Sequence, residues 1–400
     1  MRSNLLQKTV AGSLLIPLAC LTAYGGDGSI RRADIVRHMV VYESPAHYCA
    51  WPSVARVLNN EIVVAFTRTE EHLSPDGEIM LARSTDAGAT WLAPQVIRDT
   101  PIDDRESGLT VLRGGRLLAH FWSTFHTAES YARLAPLSYE KEAIDRWTAR
   151  VRTSAYTGAA ALEGAWHSFS GDGGRTWSAP VRGIDAVHGG IQLRNGGVLV
   201  ASYRLHPDSI VVYRADSPGG AWRMRSALMS PDSGRLSFCE PHVLQLPSGR
   251  VLMMIRAVTH PYDDADPRCV LWETWSDDEG RTWNDLRPTQ LWGYPPHLLL
   301  LADGRVLVTY GYRRPPYGER ACLSNDGITW RQEDEVILRN DAPGGDLGYP
   351  ASVELEPGTV LTVYYQPNVP PGTIQRMHPP DPARKKPGIL GTVWNVPPRR

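Results

Sequence analysis

GYPASVELEPGTVLTVYYQ, residues 348–366, decides the fold: an apolar run, a tight turn at Gly358, and a second apolar run. Val, Leu and Ile alternating around such a turn predict a β-hairpin. Five more segments follow the same plan. They are AWPSVARVLNNEIVVAFTR (50–68), ESGLTVLRGGRLLAHFW (106–122), GGIQLRNGGVLVASYR (189–204), EPHVLQLPSGRVLMMIR (240–256) and PPHLLLLADGRVLVTYGYR (295–313). With Asn60, Gly115, Gly197, Gly249, Gly304 and Gly358 as turn markers, the spacings are 55, 82, 52, 55 and 54 residues. A supersecondary unit recurring at that period implies a radial or stacked array.

A second repeat lies inside the first. STDAGATW (84–91), SGDGGRTW (170–177) and SDDEGRTW (276–283) share Ser-x-Asp-x-Gly-x-Thr-Trp, SNDGITW (324–330) is one residue shorter, and ADSPGGAW (215–222) is looser. Asp accepts backbone N–H groups, Gly takes the conformation other residues avoid, and Trp packs beneath. These read as structural turns, and no chemistry is expected of them. The fold class expected is all-β, a six-bladed β-propeller spanning residues 38–396. HMVVYES (38–44) and GILGTVWNV (388–396) would complete one blade between them. The 82-residue gap marks a partly helical insertion in the second blade, about 127–165, either a lid beside a pocket or a surface helix. The segment 378–387 reads as a basic, Pro-rich connection.

Composition narrows the function. Forty-two basic and 43 acidic residues leave a net charge of -1, which speaks against a general nucleic-acid binder. Arg2 and Lys8 precede an apolar stretch too short to span a bilayer, the pattern of a signal peptide over 1–23. The expectation is a secreted or periplasmic protein with no membrane span. A lipoprotein would use Cys20, but Pro17 suits that processing poorly. Cys49, Cys239, Cys269 and Cys322 lack metal spacing and are too few to staple the fold. They read as buried thiols with at most one disulfide, and no metal or cofactor is expected.

The two ends of the hairpins read differently. The turn ends carry Asn, Gly, Ser, Asp and Pro. The opposite ends gather Trp51, Asp103-Asp104-Arg105-Glu106, His188, Glu240, His297 and Tyr349 before the first strands. Arg68, Trp122, His126, Arg204, Arg256 and Arg313-Arg314 follow the second strands. Arg, carboxylate, His and aromatic groups around one mouth point to a polar, anionic ligand.

The Ser-x-Asp-x-Gly-x-Thr-Trp motifs are Asp boxes, and with the hairpins they resemble the sialidase superfamily over nearly the whole chain. Glu240 resembles that family's glutamate, Arg256 one arginine of its carboxylate-binding triad, and Tyr349 its catalytic tyrosine. Arg68 and Asp76 resemble the first-blade arginine and the acid/base aspartate, and Arg313 or Arg314 a further triad arginine. The resemblance implies a glycan substrate, with Glu240 as base to Tyr349 and Asp76 protonating the leaving oxygen. Arg105, Glu106, His188 and Trp51 complete the candidate substrate-binding set. One departure matters. Where the family opens its first blade with Arg-Ile-Pro, this chain has Ala50-Trp51-Pro52, and Arg105 of the neighbouring blade is the candidate to restore the charge. Three functions stay open: an exo-acting glycosidase of sialidase type for a terminal acidic sugar, a polysaccharide lyase working through a Tyr/His pair with His72, His126, His188 or His297, and a non-catalytic glycan-binding propeller.

Overall fold

The first strand of each hairpin begins a four-stranded antiparallel meander in the computed structural model, which describes residues 31–131, 133, 139–204, 209–263, 265–375 and 384–399. The expected signal peptide, Cys20 and part of the 378–387 connection lie outside these residues. The first meander is Tyr48–Arg56, Ile62–Thr69, Gly77–Ser84 and Gln95–Asp99. The second is Asp103–Val111, Leu117–Thr124, Gly164–Ser170 and Val181–Arg182, and among the described residues its strand pairing with the first is the single Gly77–Asp103 pair. The third runs from Ile191–Gln192 to Arg223–Met229, and the fourth from Leu236–Gln245 to Arg287–Pro288. The fifth runs from Pro296–Leu300 to Glu335–Arg339. The last combines both chain ends: Gly348–Glu356, Thr359–Pro367 and Pro387–Asn395 are flanked by Asp34–Tyr42, antiparallel to Pro387–Asn395.

Apolar side chains fill the space between successive sheets. Ala65, Leu81, Leu109 and Leu117 join the first meander to the second, and Leu118 and Val198 join the second to the third. Leu199, Val212, Val251 and Ile255 continue the series, followed by Met254 and Val308, then Leu307, Val336, Val360 and Trp394. Val54, Val64, Leu361 and Val363 bring the last meander back against the first. Each fully buried aliphatic side chain contributes about 1.5–3 kcal/mol, so the core is spread around a cycle of sheets.

Both kinds of turn lie on one side. The hairpins turn through left-handed residues, Asn59 and Asn60, Gly114 and Gly115, Gly196, Gly249, Gly304 and Gly358. The Asp boxes close the third strands at the same end. In the box at 276–283, Thr282 N–H and hydroxyl donate to Asp278 at 2.8 and 2.7 Å, and Gly280 N–H donates to Ser276 Oγ at 2.8 Å. These groups are saturated by their own loop. Cys49, Cys239, Cys269 and Cys322 are free thiols.

The insertion lies between the second and third strands of the second meander. Helical residues occur at 128–131, and α1 (Lys141–Arg150) spans the middle of the insertion, so the insertion is partly helical. The apolar pair Ile144 and Trp147 seats α1 on Ile102, Tyr131 and Tyr156. Beyond α1 a five-residue helix, α2 (Ser154–Gly158), is capped by Thr153, whose side chain accepts from the Tyr156 N–H.

Candidate active site

At the end away from the turns, four first strands begin with the same irregularity. The register shifts between Ala50 and Ser53, Arg105 and Gly108, Cys239 and His242, and Gly348 and Ala351, leaving two residues opposite one. The first residue of each bulge is left-handed, with φ 55° at Trp51, 55° at Glu106, 50° at Glu240 and 50° at Tyr349. Three precede proline (Pro52, Pro241, Pro350), which cannot donate to the ladder and disfavours a right-handed helical residue before it. A left-handed non-glycine residue costs about 1–2 kcal/mol. The bulge turns these four side chains out of the regular strand alternation.

Glu240 is the hub. Tyr349 Oη donates to its Oε1, and Arg256 Nη1 donates to its Oε2 at 2.8 Å. The Arg256 guanidinium lies 4.1 Å above the Tyr294 ring, and that of Arg313 lies 5.2 Å from the same ring. Arg313 is fixed by Nε donating to Leu347 O at 2.9 Å and Nη2 to Tyr365 Oη at 3.3 Å. Burial pushes the Tyr349 phenol well above its usual range and the Glu240 charge adds to this, against Arg256 and Arg313. Burial also works against ionising Glu240, but the charges and hydrogen bonds of Arg256 and Tyr349 outweigh it and leave the carboxyl below its usual value. The resting pair is therefore a neutral phenol hydrogen-bonded to a carboxylate.

The other two bulge residues carry a second charge cluster. Arg204 pairs with Glu106 Oε2, and burial, helped by Arg105, lowers the Arg204 pKa to about 10. The Arg105 guanidinium stacks 4.3 Å over the Trp51 ring, donates to Asp103 at 3.1 Å and to the His72 carbonyl at 3.1 Å. Trp51 meets Tyr349 at 6.4 Å between ring centroids. The His188 ring centroid lies 5.9 Å from that of Tyr349, with neither ring nitrogen hydrogen-bonded among the described residues and the imidazole kept neutral by burial and by His297.

Residues 153–362 match the family of BNR repeat-like domains. The chain belongs to that family. Its fold is propeller-like and recurs in solved structures. A protein of unknown function from Dyadobacter fermentans is 25% identical over 91% of this chain and 99% of its own, with a TM-score of 0.70. The NanB sialidase of Streptococcus pneumoniae is 12% identical over 89% of this chain and 70% of its own, with a TM-score of 0.61. An alpha-L-arabinanase of Penicillium chrysogenum is 13% identical over 90% and 98%, with a TM-score of 0.58. No protein of curated function matches the sequence.

Within this BNR repeat-like protein, the remaining sequence candidates stand apart from the Glu240 hub. Arg68 donates to Glu78 at 2.6 Å and to Tyr42 Oη at 3.2 Å. Asp76 pairs with Arg150 of α1 at 2.7 Å. Burial raises the Asp76 pKa, Arg150 opposes this, and Asp99 and Asp103 reinforce it. Arg314 stacks 3.8 Å over Trp292, leaving Arg313 as the arginine beside Tyr365. The loop 70–76 is clasped from two sides. Trp147 Nε1 donates to Glu70 at 2.8 Å and Leu73 N–H to Tyr139 Oη at 3.2 Å, while Lys386 pairs with Glu71 at 3.1 Å. The insertion thus braces the mouth. Sequence reasoning missed Tyr294, Tyr365, Tyr48 and Asp346. For Tyr294 a signal exists, because Gly293-Tyr294-Pro295 repeats the tripeptide Gly348-Tyr349-Pro350 one hairpin earlier.

Proposed function

We propose that this BNR repeat-like protein is an exported glycoside hydrolase that removes a terminal acidic sugar from a glycan. In this reading residues 38–396 form one six-bladed β-propeller, supported by the cyclic packing of the sheets and by the two chain ends sharing the last one. The observation that carries the function is the chain Tyr349–Glu240–Arg256. A phenol with a pKa near 10 is a weak nucleophile at neutral pH. With Glu240 to take its proton it can attack an anomeric carbon, and being neutral it does not repel an anionic sugar. Tyrosine is the nucleophile that sialidases use in place of a carboxylate.

Arg256 and Arg313, ordered on the Tyr294 ring, would hold the sugar's carboxylate. Arg105 supplies a third charge, carried over Trp51 where the sialidase arginine is absent. The loop 70–76 would supply the acid for the leaving oxygen. A lyase remains a second reading because His188 beside Tyr349 makes a Tyr/His pair. Mass spectrometry of products from sialylated and uronate-bearing oligosaccharides separates the two. A released sugar carrying the elements of water supports hydrolysis, whereas unsaturated fragments of unchanged total mass assign a lyase. A folded protein yielding no product from any of them favours glycan binding alone. A Tyr349→Phe variant that still turns over would remove tyrosine from the mechanism.

A further inference from the structure

The loop 70–76 presents two side chains able to carry a proton to the mouth, and they are held in opposite ways. Asp76 is tied to Arg150 at 2.7 Å, so an acid there gives up an ion pair whenever it is protonated. His72 is instead the exposed end of a buried chain. Its Nδ1 lies 2.7 Å from Tyr48 Oη, and Tyr48 Oη donates to Asp346 Oδ1, also at 2.7 Å. Tyr48 and Asp346 are buried, whereas the His72 side chain is 37% exposed.

The chain fixes the imidazole. A phenol that gives its only proton to a carboxylate has lone pairs left for its other neighbour, so Nδ1 carries the hydrogen facing Tyr48. Nε2 is then the nitrogen that gains and loses a proton, and it has no hydrogen-bond partner among the described residues. Burial opposes ionisation of Asp346, but His72, Tyr48 and Arg384 outweigh it and hold that carboxyl down at about 2. A carboxylate that orients the ring through Tyr48 is what a proton-transferring histidine requires. The ring sits at the mouth. It meets Trp51 edge-on at 5.1 Å, Trp51 in turn meets Tyr349, and Arg105 holds the His72 carbonyl.

We propose that His72, oriented by Tyr48 and Asp346, is the acid and base of the reaction. This rests on the glycosidase reading above. In the first step Tyr349 Oη bonds to the anomeric carbon as its proton passes to Glu240. The glycosidic C–O bond breaks, and the departing oxygen keeps the electron pair and takes the proton from His72 Nε2. In the second step a water oxygen bonds to the same carbon and gives its proton to His72 Nε2. The C–O bond to Tyr349 breaks, and the phenolate recovers its proton from Glu240.

The test uses two substrates of the full-length protein that differ only in leaving group: sialyllactose and nitrophenyl sialoside, with the corresponding glucuronide pair alongside. A sugar alkoxide needs a proton to leave, but a nitrophenolate does not. His72→Ala is expected to lower kcat/KM, which reports the first step, by on the order of 10²–10⁴ on the oligosaccharide and by less than about tenfold on the nitrophenyl glycoside, while the second step, common to both substrates, slows alike. Added imidazole should restore part of the loss. Tyr48→Phe keeps the ring but removes the link to Asp346, and should show the same leaving-group pattern more weakly; it also serves if His72→Ala fails to fold. Equal losses on both substrates in both variants would make His72 a brace for the loop and overturn the proposal, as would the leaving-group pattern appearing in Asp76→Asn instead. If the wild type cleaves none of the four probes, the glycosidase reading falls and His72 with it. If it cleaves and only the leaving-group pattern is absent, His72 alone falls.

Discussion

The two ends of the hairpins use the same left-handed backbone for opposite purposes. At the hairpin turns the positions are Gly or Asn, the Asp of each box is satisfied within its own loop, and charges pair in solvent, as Arg250 does with Asp277 at 2.7 Å. At the mouth the positions are Trp51, Glu106, Glu240 and Tyr349, each bearing the backbone cost that glycine would avoid. Three of the four then meet buried or half-buried arginines through ion pairs or ring stacking, and Tyr349 reaches them through Glu240. Where a strained position keeps a bulky side chain, that side chain is the purpose of the strain. Turn-end identity serves geometry, and at the mouth geometry serves identity.

Removing the hub should give the largest effect. Glu240→Gln keeps the shape but leaves Tyr349 without a base, and turnover is expected to fall by on the order of 10²–10⁴. Arg256, no longer neutralised, should bind an anionic product more tightly. Steady-state kinetics and product inhibition on a folded variant check both. Unchanged turnover would reduce the mouth to a structural charge cluster.

Next comes the cost of unpairing. Glu106→Ala strips the ion-pair partner from Arg204, whose side chain is 19% exposed, and an uncompensated buried charge costs about 3–5 kcal/mol. Glu279, left-handed in an Asp box, is the matched turn-end residue, and Glu279→Ala should cost under about 0.5 kcal/mol. Denaturant midpoints of the two variants compare the ends directly. Equal losses would erase the distinction.

That distinction also explains how much was legible beforehand. Hairpins and Asp boxes are local, so apolar alternation and turn residues announce them, and the strand ends named the mouth residues. Contacts made across the cycle leave no such trace. Tyr48 and Asp346 are 298 positions apart, and nothing in either neighbourhood pairs them. Arg68 lies at the mouth end of its strand as its place in the sequence implies, but its partner was not legible: the strand alongside sets Glu78 opposite it, and a cross-strand ion pair holds the guanidinium.

Asp346 tests the mouth through pH. Its folded pKa of about 2 lies below the ordinary aspartate value of about 3.9, so the stability it contributes is present above pH 4 and is lost as pH falls toward 2. The contribution at neutral pH is about 2–3 kcal/mol. Urea midpoints of wild type and Asp346→Asn should differ by that amount at pH 7 and converge between pH 4 and pH 2. A gap independent of pH would mean that packing, not charge, accounts for the loss.

The smallest effect belongs to the turn end and completes the comparison. Gly304 has φ 86°, and a methyl group added there meets nothing within 4 Å. Gly304→Ala therefore isolates the left-handed backbone cost, about 1 kcal/mol. Tyr349 bears a similar cost at φ 50° with its side chain bonded to Glu240. If the two ends are separate in purpose, Gly304→Ala lowers the unfolding midpoint slightly and leaves kcat and KM unchanged. A fall in kcat without a fall in stability would show that strain at the turns reaches the mouth along the first strands. The two ends of each hairpin would then act as one device.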